Sequence, residues 1–195
     1  MHRVLVTGNA GSGKSTVAAA MASILKLPFS GMDEIVWQPG WVKTPSAVRN
    51  AKESTIAAGS DWIVDGVSAI FLEAADTVVF LDYPRYKCYW RAFRRNLPFL
   101  FRSRPGLPVG CPELLVIPTL AKIIWRFPKR VRPSIFKVGH QSGKSFVHVR
   151  NNSELRQFLD TLPAPWPNPS VNADVPNTFV LPANRGGGTP VTLYR

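Results

Sequence analysis

The chain is 195 residues long, 45% hydrophobic and 18% charged, a composition that fits one folded domain and excludes a disordered or collagen-like polymer. Its formal net charge is +12, and the excess is concentrated: residues 85–150 hold fifteen Lys or Arg and a single acid, Glu113. Such a field attracts nucleotides, nucleic acid or an anionic membrane, while Cys88 and Cys111, with no C-x-x-C pair, exclude a disulfide framework.

Arg3 to Thr7 is a short β-branched apolar run and predicts a buried parallel strand. Val17 to Leu25 is rich in helix formers. Between them lies Gly8-Asn9-Ala10-Gly11-Ser12-Gly13-Lys14-Ser15-Thr16, which fits G-x-x-x-x-G-K-[ST], the phosphate-cradling loop called Walker A. Glycines at 8, 11 and 13 allow unusual dihedrals and let backbone N–H groups approach phosphate oxygens. The helix start adds unpaired N–H donors and partial positive charge. Lys14 can reach the β- and γ-phosphates, and the Ser15 hydroxyl can ligate Mg²⁺.

Residues 26–32 read as a loop and short second strand that delivers Asp33-Glu34 to the strand's C-terminal end, where ligands bind in open α/β sheets. Trp37-Gln38-Pro39-Gly40-Trp41 is a turn flanked by indoles. Pro45 to Gly59 predicts a helix capped by Ser46 or Thr44. Residues 61–66 and 77–82 are the third and fourth strands, ending in Asp65-Gly66 and Asp82. Tyr86 to Leu97 is a basic helix, and Pro98 to Pro112 a proline- and glycine-broken loop. Leu114 to Arg126 is a helix expected to bend at Pro118, and Pro128 to Pro133 is a further basic cluster.

A second Walker-like string, Gly139 to Ser145, is one residue short and precedes its strand, so it is a loop. Residues 145–149 form the fifth strand, and Ser153 to Leu162 a closing helix with Ser153 as N-cap. The alternation predicts a doubly wound α/β fold with a five-stranded parallel sheet. Residues 163–195, rich in Pro and Gly, read as a disordered or loosely attached tail. The first strand begins almost at Met1, so no signal peptide is expected, and Leu114 to Trp125 is too short to span a bilayer. The expectation is a cytoplasmic chain without a membrane partner.

Asp33 and Asp65 are candidates to hold Mg²⁺ or to orient an acceptor hydroxyl; each can equally serve a cap or turn. Asp82, before Tyr83-Pro84, is the most structural of the three aspartates. Arg91 and Arg95 share a helix face, and Arg102, Arg104, Arg126, Arg130 and Arg132 follow, all suited to gripping phosphate. Trp37, Trp41 and Trp62 line either an acceptor pocket or the core.

Several stretches resemble a family of small bacterial P-loop kinase-like proteins, commonly labelled topology modulation proteins and similar to adenylate kinases. They are Gly8 to Thr16, Asp33-x-x-x-Trp37-Gln38-Pro39-Gly40-Trp41, Asp61 to Gly66, Ala75 to Arg85, Gly110-Cys111-Pro112-Glu113 and Trp125-Arg126-Phe127-Pro128. The resemblance covers roughly residues 1–162. It implies a P-loop NTPase of the nucleoside monophosphate kinase type, with an acceptor side over residues 33–60 and a basic lid over roughly 91–133. Asp65 then matches the strand-three aspartate, and Arg91 and Arg95 lead into the lid. Relatives usually carry Gly-Asn-Tyr where this chain has Gly66-Val67-Ser68, which questions a polar contact near the acceptor.

The expected activity is Mg²⁺- and ATP-dependent phosphoryl transfer to an unidentified small molecule or nucleotide. Gly8 to Thr16 would bind ATP, with Ser15, Asp33 and Asp65 on the metal. Lys14, Asp33, Asp65, Arg91, Arg95, Arg102 and Arg126 would be catalytic. The alternatives are an ATP-binding, nucleic-acid-associated regulator or ATPase using the basic 85–150 region, and a nucleotide-binding protein without turnover.

Overall fold

The computed structural model describes residues 1–101, 103, 107, 110–140 and 143–163, with the backbone of residues 179–180 and 192–193. β1 (Arg3–Gly8) leads into α1 (Lys14–Leu25) and β2 (Phe29–Gly31). A short α2 (Met32–Val36) precedes a hairpin, β3 (Trp37–Gln38) with β4 (Val42–Lys43), and then α3 (Ser46–Ala57). β5 (Trp62–Asp65), α4 (Ala69–Ala74), β6 (Thr77–Leu81) and α5 (Arg85–Asn96) follow. α6 (Ile117–Arg130) and α7 (Arg132–Gly139) come before β7 (Ser145–Val149) and α8 (Asn152–Asp160). Beyond them β8 (Phe179–Val180) pairs antiparallel with β9 (Thr192–Leu193), and the other residues past 163 of the predicted 163–195 tail lie outside the described residues.

Five parallel strands form one sheet in the order β2-β5-β1-β6-β7, as the alternation of strands and helices predicted. Strand side chains alternate between its two faces. Val4, Val6, Ile63, Val79 and Leu81 pack in one buried cluster with residues of α1, α5 and α8. Leu5, Trp62, Val64, Val78 and Phe80 pack in the other, with residues of α2, α3, α4 and α7. α6 contributes to both, Ile124 to the first and Phe127 to the second. Parallel pairing brings the strand ends to one edge: Val6 is in register with Asp65, Gly31 with Asp65, and Gly8 with Leu81.

Several local expectations differ from the structure. α3 starts after Pro45 with no side-chain cap bond from its N-cap residue, so neither Ser46 nor Thr44 is its cap. α8 is capped by Asn151, whose side chain accepts from the Glu154 N–H, not by Ser153, which lies inside the helix. Pro118 does not bend α6: it sits in the first turn, where a missing N–H costs nothing, and the interior proline is Pro128. α4 and α7, absent from the sequence reading, are short. α7 carries Pro133 in its first turn and opens inside the basic cluster, so composition hid it. Among the described residues no helix is long and apolar enough to cross a membrane.

Candidate active site

The loop from Gly8 to Gly13 leaves β1 at the sheet edge and turns into α1. Gly11 has φ +77°, and a Cβ there would lie 2.2 Å from the Cys88 carbonyl oxygen, so α5 packs against this backbone too closely for any side chain. Gly13, the N-cap of α1, has φ +96° and no side-chain cap bond, and the first turn carries no acid. The first-turn N–H groups therefore stay available to an anion. Within the loop, Lys14 Nζ donates to the Asn9 carbonyl at 2.9 Å and Ser12 N–H to the same oxygen at 3.2 Å. Among the described residues the buried Ser12 Oγ has no hydrogen-bond partner.

Asn9 fastens this loop to α6. Its Oδ1 accepts from the Ala10 N–H at 2.8 Å, and its Nδ2 donates to the Ile124 carbonyl at 3.0 Å. That carbonyl would ordinarily accept from the N–H four residues on. Residue 128 is proline and has none, so the interior proline of α6 frees the acceptor that Asn9 uses.

Asp65 closes β5 and is almost fully buried. Its Oδ2 accepts from the Ser15 hydroxyl, and its Oδ1 accepts from the Met32 N–H at 3.2 Å. Burial pushes the Asp65 carboxyl up, with the Ser15 hydrogen bond and Lys14 opposing. Burial pulls the Lys14 ammonium down, with Asp65 and Asp33 opposing. Asp33 lies in the first turn of α2 with Glu34, whose carboxyl is pushed up by burial and then by Asp65 and Asp33. The set offers hard oxygen donors to Mg²⁺, which is usually held by one or two carboxylates together with phosphate oxygens. Among the described residues no group of three or more His, Cys, Asp or Glu forms a dedicated cage. The buried, unpartnered Ser12 hydroxyl and the uncapped helix start fit a phosphate, and the Ser15–Asp65 pair fits its cation.

The arginines divide. Arg91 of α5 donates to the Ser12 carbonyl at 3.0 Å and to Asn152 Oδ1 at 2.9 Å, and its guanidinium lies 4.4 Å from the Tyr83 ring centre. Arg95 donates to Asn96 Oδ1 at 3.0 Å and its charge bears on Lys14. Arg126 lies instead in a cleft of about 270 Å³ with Arg85, Trp125, Lys129 and Arg130. Arg102 is outside the described residues. Asp82 is held by Arg132 at 2.9 Å and His148 at 3.0 Å.

A second cleft, of about 320 Å³, is lined by Met32, whose N–H donates to Asp65, and by Val36, Arg49, Glu53, Val67 and Ser68 among others. Glu53 is buried; it accepts from Ser68 Oγ at 2.5 Å and pairs with Arg49 Nε at 3.3 Å. Ser68 also accepts from the Phe71 N–H, which caps α4. A polar group thus stands beside this cleft, at a position where the sequence departs from its look-alikes. The sequence reading brought Glu34 to the strand end without giving it a role, and missed Arg49, Glu53 and Ser68. The only signals were the acidic dipeptide at 33–34 and the four-residue spacing of Arg49 and Glu53.

Trp62 is core, edge-on to Phe71. Trp37 and Trp41 meet edge-to-face at 5.1 Å. Trp41 Nε1 donates to the Pro112 carbonyl at 2.9 Å, and its N–H to Cys111 Sγ at 3.3 Å. The two most distinctive motifs, Trp37 to Trp41 and Gly110 to Glu113, therefore touch.

The fold that carries these residues is that of the P-loop kinases. A shikimate kinase from Acinetobacter baumannii, solved in complex with shikimate, superposes with a TM-score of 0.53 at 18% identity, over 82% of this chain and 94% of that one. A shikimate kinase from Bacteroides thetaiotaomicron gives 0.51 at 16% identity, over 82% and 97%. At these identities the likeness is one of fold. No protein-family model matches the chain, and no curated protein matches it.

Proposed function

We propose that this protein is a Mg²⁺- and ATP-dependent phosphotransferase acting on a small-molecule acceptor. The observation that carries the reading is the position of Asp65. One carboxylate oxygen takes the Ser15 hydroxyl of the phosphate loop, and the other takes the N–H of Met32, which lines the cleft beyond. The buried carboxylate thus ties the donor loop to Met32, one of the residues that line the cleft.

In this reading the first-turn N–H groups of α1 and Lys14 grip the donor phosphates and stabilise charge on the transferred group. Mg²⁺, held when bound by Ser15 and Asp65 with Asp33 beside them, supplies charge neutralisation and alignment of phosphate oxygens. Asp33 orients the acceptor hydroxyl and receives its proton. Arg91 fixes the loop through the Ser12 carbonyl, Arg95 adds positive charge near Lys14, and Arg102 and Arg126 complete the lid cations. The cleft beside Arg49, Glu53 and Ser68 takes the acceptor.

The unit spans residues 1–162 with a lid at roughly 91–133, followed by the tail at 163–195. The Trp37–Trp41 and Gly110–Glu113 motif strings are the basis for grouping the chain with the topology modulation proteins. The setting of the reading is cytoplasmic.

The test is ADP formation by the full chain with ATP and Mg²⁺, alone and with a panel of polyhydroxy acids, sugars and nucleoside monophosphates. ADP released only with a particular acceptor, and lost in Lys14→Ala, is the expected result. Acceptor-independent hydrolysis makes the protein an ATPase, and ATP binding without turnover makes it a binder. Equal turnover in Lys14→Ala overturns the reading.

A further inference from the structure

α5 and α6 carry nine Lys or Arg and no acid, and the one acid between residues 85 and 150, Glu113, is buried. Along α5 and its continuation, Tyr86, Trp90, Phe93 and Leu97 recur at helical spacing and are all 53–68% exposed. The opposite face of α5 is the buried one, through Cys88, Ala92 and Asn96. The helix is therefore apolar on two sides, and packing among the described residues accounts for only one of them. α6 lies alongside: Tyr89 donates to the Ala121 carbonyl at 2.9 Å, and Arg85 lies 4.6 Å from the ring centre of Trp125, itself 63% exposed. Leu114, Leu115 and Ile123 are exposed as well.

Three occupants suit an uncovered apolar face, and the charge and ring geometry choose between them. A second copy of this chain would set two surfaces of the same strong positive sign against each other, within a total of +12 per chain. Single-stranded nucleic acid needs open aromatic faces on which bases stack. Here Trp90 and Phe93 are stacked on each other at 6.2 Å, Arg85 covers a face of Trp125, and much of the patch is Leu and Ile. An anionic bilayer needs what is present: Trp, Tyr, Phe and Leu at the acyl boundary, with Arg and Lys reaching headgroup phosphates. We propose that the α5–α6 face docks in the plane of an anionic phospholipid surface, with the Arg85, Lys129 and Arg130 cleft beside Trp125 receiving headgroup phosphate.

The experiment is co-sedimentation of the full chain with vesicles of phosphatidylcholine, with and without phosphatidylglycerol, at low and high salt. Tryptophan emission, single-stranded oligonucleotide binding and sedimentation velocity are followed in parallel. The expected result is salt-sensitive binding to phosphatidylglycerol vesicles only, with a blue shift. The double substitution Trp90→Ser with Phe93→Ser lowers partitioning by roughly tenfold or more. Lys122→Gln and Lys129→Gln lower it by about fivefold each, while ATP binding persists in all of these variants.

The proposal is overturned by absent vesicle binding at low salt, or by vesicle binding that none of these substitutions weakens. It is equally overturned by oligonucleotide binding or dimer formation that the Trp90/Phe93 variant abolishes in place of vesicle binding. None of these outcomes depends on turnover, so the kinase reading stands or falls separately.

Discussion

The loop that Asp65 touches and the cleft it reaches through Met32 are built from different materials. On one side the phosphate loop is made of backbone: glycines in left-handed conformations, an uncapped helix start, and one lysine and one serine at fixed offsets. On the other, the cleft is made of side chains drawn from α2, α3 and the turn before α4, with Arg49, Glu53 and Ser68 held in one polar chain. A backbone site tolerates little variation, because each residue is chosen by a dihedral or a close approach. A side-chain site can be rebuilt with other residues on the same scaffold. The first suits a ligand group common to many reactions, and the second a particular acceptor.

Removing the charge of the loop is the largest expected effect. Lys14→Ala should lower turnover by on the order of 10²–10³, as loss of a transition-state donor does, and should weaken ATP binding without altering acceptor affinity. Steady-state kinetics with both substrates varied would check this, and a change confined to the acceptor's KM would break the division. Gly11→Ala should follow, acting through the fold. With φ at +77° and the Cys88 oxygen 2.2 Å from the new Cβ, α5 has to move away from the loop. The expected loss is about 2 kcal/mol or more, read by denaturant unfolding.

The same contrast explains what could be read in advance. The strands at β1, β5 and β6 are almost wholly buried, so their apolar runs announced them, and the parallel sheet followed from their spacing. Gly8 to Thr16 was legible because its string encodes backbone geometry. The role of Asn9 was not, because its partner is a carbonyl 115 residues away that is free only because Pro128 lacks an N–H. Read alone, Pro128 looks like part of a basic cluster at a helix end, and its contribution exists only once α6 lies over the loop. That Asn151 and not Ser153 caps α8 was not legible either, because both residue types are good caps and composition alone does not choose between positions two residues apart. Glu53 and Ser68 sit fifteen residues apart with no shared motif. Only the folded chain pairs them.

Ser68→Ala addresses the side-chain half. It removes the N-cap of α4 and the hydroxyl bonded to the buried Glu53 carboxylate. A stability loss of about 1–2 kcal/mol is expected, and in the kinase reading a higher KM for the acceptor with the KM for ATP unchanged. If ATP affinity fell as much as acceptor affinity, the two sides would not be separate.

The smallest expected effect tests Asp65, which ties the loop to Met32. Burial raises the folded-state pKa of Asp65 above the ordinary aspartate value, so the folded protein favours the protonated carboxyl. This preference contributes stability that is fully present below the ordinary aspartate value, about 4, and is lost as pH rises through the raised folded-state pKa. Glu34 shifts in the same direction, partly through Asp65 itself, while Lys14 and the Ser15 hydroxyl act against the shift on Asp65. Asp65→Asn removes the titration and relieves Glu34. Its stability relative to wild type should therefore climb as pH is raised from about 4 and level off once Asp65 is ionised in the folded wild type. The gain should be on the order of 1 kcal/mol, or about 2–4 °C in Tm. Unfolding curves at a series of pH values, without nucleotide or metal, would measure it. An opposite slope would mean that Lys14 and Ser15 outweigh burial, making Asp65 an ion-paired strut of the loop. A rising slope marks a carboxylate kept charged at a cost in the free protein, which a cation bound between loop and cleft would offset.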